Sequence, residues 1–203
     1  MKQSLIVISY ILILSIVACK KDDSNVYLQP HDSNRMMDSM HAMMTRMEAV
    51  PVTNDPEIDF AKMMIIHHEG AISMANLELS DGKNDSLKRT AQKIITEQLK
   101  EIKDLNVILS MIDIDNSDPV FTMEHMESME KMGKTADVQL ISGDIDNDFA
   151  ALMIVHHQAA IDNASGYLHH GNNTQLKTMA ANIVNSQTRE IKEMADWLKA
   201  NKR

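Results

Sequence analysis

Two histidine pairs, His67-His68 and His156-His157, stand 89 residues apart in near-identical surroundings. The first closes the phrase Asp59-Phe60-Ala61-Lys62-Met63-Met64-Ile65-Ile66-His67-His68, and the second closes Asp148-Phe149-Ala150-Ala151-Leu152-Met153-Ile154-Val155-His156-His157. Met64 and Met153 each precede their histidines by three and four positions, which on a helix is one turn and within reach of either ring. Neutral imidazole with thioether is a soft nitrogen–sulfur donor set suited to Cu(I) or Ag(I). Zinc more often takes histidine with cysteine or carboxylate. Met63 and Met74 lie on the same helical stretch and extend the donor set of the first copy.

Two methionine-rich stretches widen the inventory. The first holds Met36, Met37, Met40, His41, Met43, Met44 and Met47; the second holds Met123, His125, Met126, Met129 and Met132. Methionine fills irregular cores well, so such a stripe can be packing alone. With 18 methionines in 203 residues and a histidine in each cluster, thioether ligation of a soft ion is an equal reading. Met40, His41, Met44, His125, Met126 and Met129 are therefore candidate ligands beside the two histidine phrases.

The spacing also supplies outer partners. His67 lies 15 residues before Gly82 and Gln98 lies 16 after it, so an antiparallel hairpin sets them level with Glu101 one turn beyond. Glu101 is expected to accept a hydrogen bond from His67 or His68, as carboxylates behind ligating histidines do. His156, Gln187 and Glu190 repeat the arrangement, and Asp59 and Asp148 are further candidate outer carboxylates. The residues leave other readings open: an envelope structural or interaction protein whose histidines are hydrogen-bonded core groups, or a metal-dependent oxidase. His169-His170 is expected to cap a helix C-terminus.

These residues must be carried by a duplicated helical unit. One offset also pairs Ala71-Ile72 with Ala160-Ile161, Gly82 with Gly171, Gln98 with Gln187 and Glu101-Ile102-Lys103 with Glu190-Ile191-Lys192. Such persistence marks an internal repeat. In each copy, apolar residues recur at helical spacing on both sides of the glycine, predicting a helical hairpin. Asp55-Pro56 and Asp118-Pro119 are helix starts, Gly82 and Gly171 are stops, and Asp85 or Ser86 is expected to cap the helix after Gly82. Residues favouring strands are few. The expectation is an all-α protein, a four-helix bundle of two hairpins, each preceded by a short Met-rich helix.

The first 18 residues carry Lys2 and a short apolar run ending at Ala18-Cys19, the pattern of a lipoprotein signal peptide. Cys19, the single cysteine, is then the lipidated residue that tethers the chain to a membrane, which excludes a disulfide framework. Residues 19–34 are expected to be a linker and 35–203 the helical domain, with repeat one near 35–112 and repeat two near 118–200. The formal charge of −9 argues against nucleic acid and anionic lipid as partners. There is no His-Glu-x-x-His, phosphate loop or Gly-x-Ser-x-Gly, so no enzyme class is indicated. No protein partner can be named from the residues.

Phe60, Met64, His67-His68, Ala71, Met74-Ala75, then Gln98 and Glu101-Ile102, together resemble the signature of the bacterial DUF305 family. The second copy keeps Phe149, Met153, His156-His157, Ala160, Gln187 and Glu190-Ile191 but has Asn163 where Met74 stands. The resemblance implies a ferritin-like four-helix bundle, a cell-envelope setting facing periplasm or exterior, and copper binding as in the family's CopM-like members. Cu(I) is the expected ion, with Ag(I) and Cu(II) the other candidates, for sequestration or handover. Whether the two copies share one site is left open.

Overall fold

The pair of helices in each repeat is closed by an N-cap on every start and by steric fit at every turn. In the computed structural model, which describes residues 28–201, the helices are α1 Arg35–Glu48, α2 Pro56–Asp81, α3 Asp85–Leu109, α4 Pro119–Asp137, α5 Ile145–His170 and α6 Thr174–Ala200. A 3-10 turn at His31–Ser33 precedes them, and no strand occurs among the described residues. The architecture is all-α. The expected Cys19 anchor and signal peptide lie outside the described residues.

Asp55 and Asp118 cap α2 and α4, each side chain accepting two backbone N–H bonds ahead of a first-turn proline. The cap of α3 is Asn84, not Asp85 or Ser86; its side chain accepts from Ser86 and Leu87 N–H, and Asn173 does the same for α6. The glycine stops work differently from a left-handed cap. Gly82 and Gly171 have extended backbone, with φ −64° and −70°. A Cβ on Gly82 would lie 2.4 Å from Glu78 Oε1, and one on Gly171 would lie 2.2 Å from the Tyr167 ring. Glycine is required there for space.

The α2–α3 and α5–α6 hairpins face each other, α2 against α5 and α3 against α6, closing a four-helix bundle. α1 lies antiparallel on α2, with Arg35 paired to Asp81 and Arg46 to Glu69, and α4 lies antiparallel on α5, with Lys131 paired to Asp162. Helices α2 and α5 thus form a middle layer covered on both sides. Fifteen of the 26 residues of α2 are buried, against six of 25 in α3, so α2 is apolar on nearly every face while α3 carries one stripe. Within the 19–34 stretch, residues 29–34 bond to the helical domain: Gln29 N–H donates to Ile141 O at 2.7 Å and Asn34 Nδ2 to Asp148 at 2.8 Å.

Candidate metal centre

The histidine pairs occupy the middles of the two central helices. Counting from Pro56 and Ile145, His67 and His156 are each the twelfth residue of a 26-residue helix. Antiparallel packing of α2 on α5 therefore brings them together, with ring centroids 3.6 Å apart. His68 and His157 lie outward of this stack, at centroid distances of 6.4 and 5.9 Å from their chain neighbours. About 100° of helical turn separates consecutive residues, so one ring of each pair faces the opposing central helix and the other faces the flanking hairpin partner. The result is a single row of four buried imidazoles.

Each end of the row is held by a glutamate. His157 Nε2 donates to Glu190 Oε2 at 2.9 Å, and His68 Nε2 comes within 2.8 Å of Glu101 Oε2 in a less aligned contact. It is His68, rather than His67, that meets Glu101. His156 Nε2 lies 2.9 Å from the carbonyl oxygen of His67, which can only accept, so the proton of His156 sits on Nε2. In the neutral ring the lone pair is then on Nδ1, which has no hydrogen-bond partner; neither ring nitrogen of His67 has one. The Nδ1 atoms of His68 and His157 are also unpartnered. Donation of Nε2–H to a carboxylate or carbonyl, leaving Nδ1 bare, is how ligating histidines are oriented.

Burial, then the neighbouring rings, holds His67 well below the ordinary histidine value, and burial does the same for His156. Both are neutral at pH 7, the form that binds metal. Burial pulls Glu190 upward, but the His157 hydrogen bond and the Lys93 ammonium, 3.2 Å away, outweigh it and hold the carboxylate ionised. Gln98 and Gln187, one turn before the glutamates, are buried with their amide atoms unpartnered among the described residues. These bare buried polar atoms are more than a satisfied core leaves, although no three His, Cys, Asp or Glu side chains among the described residues stand grouped as a metal site.

The remaining candidates divide by place. Met64 and Met153 are buried in two different apolar clusters, and Met40 and Met74 are fully buried in the methionine-rich one. Met44, Met63, Met126 and Met129 line a surface groove between α1 and α4. His41 stands half-exposed, 3.0 Å from Asp137. His125 is buried under Phe121, and burial lowers it to about 4. Asp59 and Asp148 do not stand behind the histidines. Eight residues before His67 and His156, they lie about 12 Å along the helix. Asp59 accepts from Thr53 and Asn54 N–H at 2.8 and 2.9 Å, and Asp148 from Ser142 and Gly143 N–H at 2.9 and 2.8 Å. His170, in the last turn of α5, pairs through Nδ1 with Asp118 at 2.7 Å, which raises it above the usual histidine value.

Lys93 is the participant that sequence reasoning missed. It reaches Glu190 across the α3–α6 contact, and the repeat gives no hint because Asn182 holds the equivalent position.

The family model described as Domain of unknown function (DUF305) matches residues 18–109 and, overlapping them, 57–198. Among solved structures, the chain is similar to CopM in its Cu(I)-bound form, at 25% identity and a TM-score of 0.56, over 72% of this chain and 98% of that one. The Ag-bound form of CopM obtained by soaking gives 26% identity with the same TM-score and coverage. A DUF305 protein from Streptomyces coelicolor, assigned as secreted, matches at 24% identity and a TM-score of 0.57, over 73% of this chain and 95% of its own; that likeness bears on the fold alone. No curated protein matches the chain.

Proposed function

The chain belongs to the DUF305 family, and from that premise we propose that it is an extracytoplasmic copper-binding protein that holds Cu(I) at the buried row of histidines. The observation that carries this reading is the convergence of His67, His68, His156 and His157 from both repeats into one centre, with bare lone-pair nitrogens. His67 and His156 would supply donors from the opposing central helices, while Glu101 and Glu190 fix the rings of His68 and His157. Similarity to CopM, solved with Cu(I), Cu(II) and Ag bound, supports the choice of metal. So does the physics of burial. The Born cost of burying an ion rises with the square of its charge, so a monovalent ion costs about a quarter of what a divalent one does. Neutral imidazoles suit that ion.

The protein would be tethered to the cell envelope by lipid on Cys19, facing the periplasm or the exterior, and would sequester copper or hand it on. No catalytic group is implied by this arrangement. Titration of the soluble domain with Cu(I) against a competing chelator tests the reading. Loss of one tightly bound equivalent of Cu(I) is expected when His67 and His156 are both changed to alanine. If those changes lower thermal stability but leave Cu(I) uptake unchanged, the histidines are core hydrogen-bonding groups and the copper reading fails.

A further inference from the structure

The groove between α1 and α4 has a composition that packing does not explain. Its cavity, of about 700 Å³, is walled by Met44 and Met47 from α1 and by Met123, Met126, Met129 and Met132 from α4, with Met63 of α2 beneath. Met47, Met63 and Met132 are buried; Met44 and Met129 are half-buried; Met123 and Met126 are 63% and 44% exposed. A side chain that serves only as core filler gains nothing by standing in water. Here the thioethers form a graded series from solvent to interior. The backbone is also shaped to admit one of them. A Cβ on Gly133 would lie 2.1 Å from Met44 Cε and 3.1 Å from its Sδ, so a larger residue there would displace the Met44 thioether from its place against α4. In the repeat, Gly133 is the position equivalent to Met44 itself.

We infer that this groove is a second soft-metal site, separate from the histidine centre, taking a monovalent thiophilic cation such as Cu(I) or Ag(I) on methionine sulfur alone. Thioethers are neutral and polarisable, so they favour such ions over Zn(II), Mg(II) or Ca(II). Glu48, Glu127, Glu130 and Asp137 at the groove add a field that draws cations in, and Lys134, the one cation among the lining residues, is paired with Glu130. The groove opens to solvent while the histidine row is wholly buried, so the groove loads and exchanges its ion faster. It draws on both repeats, with two thioethers from α1 and four from α4. The site does not rest on the histidine reading.

The test uses Ag(I), which is redox-stable, on the soluble domain carrying ε-methyl-labelled methionines. Methyl resonances of Met44, Met123, Met126 and Met129 are expected to shift on adding Ag(I), with those of Met36 and Met37 unmoved and no groove shift on adding Zn(II). The variant Met44→Leu/Met123→Leu/Met126→Leu/Met129→Leu preserves volume and removes four thioethers. It is expected to bind one equivalent fewer Ag(I). The His67→Ala/His156→Ala variant is expected to keep the groove shifts, so failure of either site shows independently. Unshifted groove methyls in the unmodified protein overturn the inference, whether or not the leucine variant folds.

Discussion

Repeat one and repeat two place the same backbone devices at the same offset, yet they differ at several buried positions. Both turn into their central helix through a left-handed residue, Asn54 at φ 63° and Gly143 at φ 76°, and both tie that turn down with an aspartate, Asp59 or Asp148. Both set a glutamate on the outer histidine. The interior of repeat one holds Met36, Met74 and Glu78 where repeat two holds His125, Asn163 and Tyr167. Glu78 lies by Asp146 where Tyr167 lies 3.4 Å from Glu57, so each central helix closes its end on the other's acidic first turn with different chemistry. The comparison teaches that what positions the histidines has been kept, while what surrounds them has been allowed to diverge.

The strongest way to break this comparison is at the shared centre, where the two halves ought to be interdependent. Replacing either His67 or His156 by alanine is expected to lower Cu(I) affinity by about a hundredfold or more, since losing even an outer partner of a ligand costs tenfold to a hundredfold. Competition titration of the two single variants and the double reads it. Two independent half-sites would instead show one variant retaining half the copper at full affinity.

The glutamates sharpen the contrast. Glu190 is 2% exposed and serves both His157 and Lys93, whereas Glu101 is 19% exposed and serves His68. Glu190→Gln is expected to cost roughly 2 kcal/mol of unfolding free energy and Glu101→Gln less than half of that. Chemical denaturation of both variants checks the order, and equal losses would refute the asymmetry.

Glu78 gives a pH signature found only in repeat one. Burial and the adjacent Asp146 raise its carboxyl from the ordinary 4.5 to about 8, so the fold favours the protonated form. Its stabilising contribution is full below the ordinary value and is lost as pH climbs through about 8. Thermal unfolding from pH 5 to pH 8 is expected to show a decline of roughly 2 kcal/mol that flattens in Glu78→Gln, which stays neutral throughout. An unchanged slope in the variant would remove Glu78 as its source.

The smallest expected effect concerns the divergent corner. His125→Met and Asn163→Met each restore one of the three exchanged repeat-one residues, and the double change restores two. A coupling of about 1 kcal/mol in favour of the double variant is expected from a double-mutant cycle by thermal unfolding. Strict additivity would mean that these positions diverged independently.

Much of this was legible along the chain. Asp55-Pro56 and Asp118-Pro119 begin helices where their capping chemistry requires, and the offset that pairs Gly82 with Gly171 does pair two helical hairpins. Glu101 and Glu190 stand opposite the histidines because level positions across a short hairpin turn follow from counting residues. The count failed where contacts cross between hairpins. Lys93 reaches Glu190 from the other repeat, and Asp59, which reads as a member of the histidine phrase, belongs to the turn before it. A residue's place in a phrase says nothing of its distance along the helix axis until the rise per residue is applied.

The sequence alone determined that the chain is helical, where α2 and α4 begin, that the unit is duplicated, and that imidazole and thioether are its available donors. These follow from local chemistry: caps, glycine and proline positions, and a period of about 3.6 residues. Only the tertiary structure decided that the four histidines form one row, and that the two methionine-rich helices wall one groove. The reason is physical. Helices α2 and α5 are apolar on nearly every face because each is covered on both sides, so periodicity cannot say which face meets which. That choice is made by packing between helices remote in sequence, and it places His67 against His156.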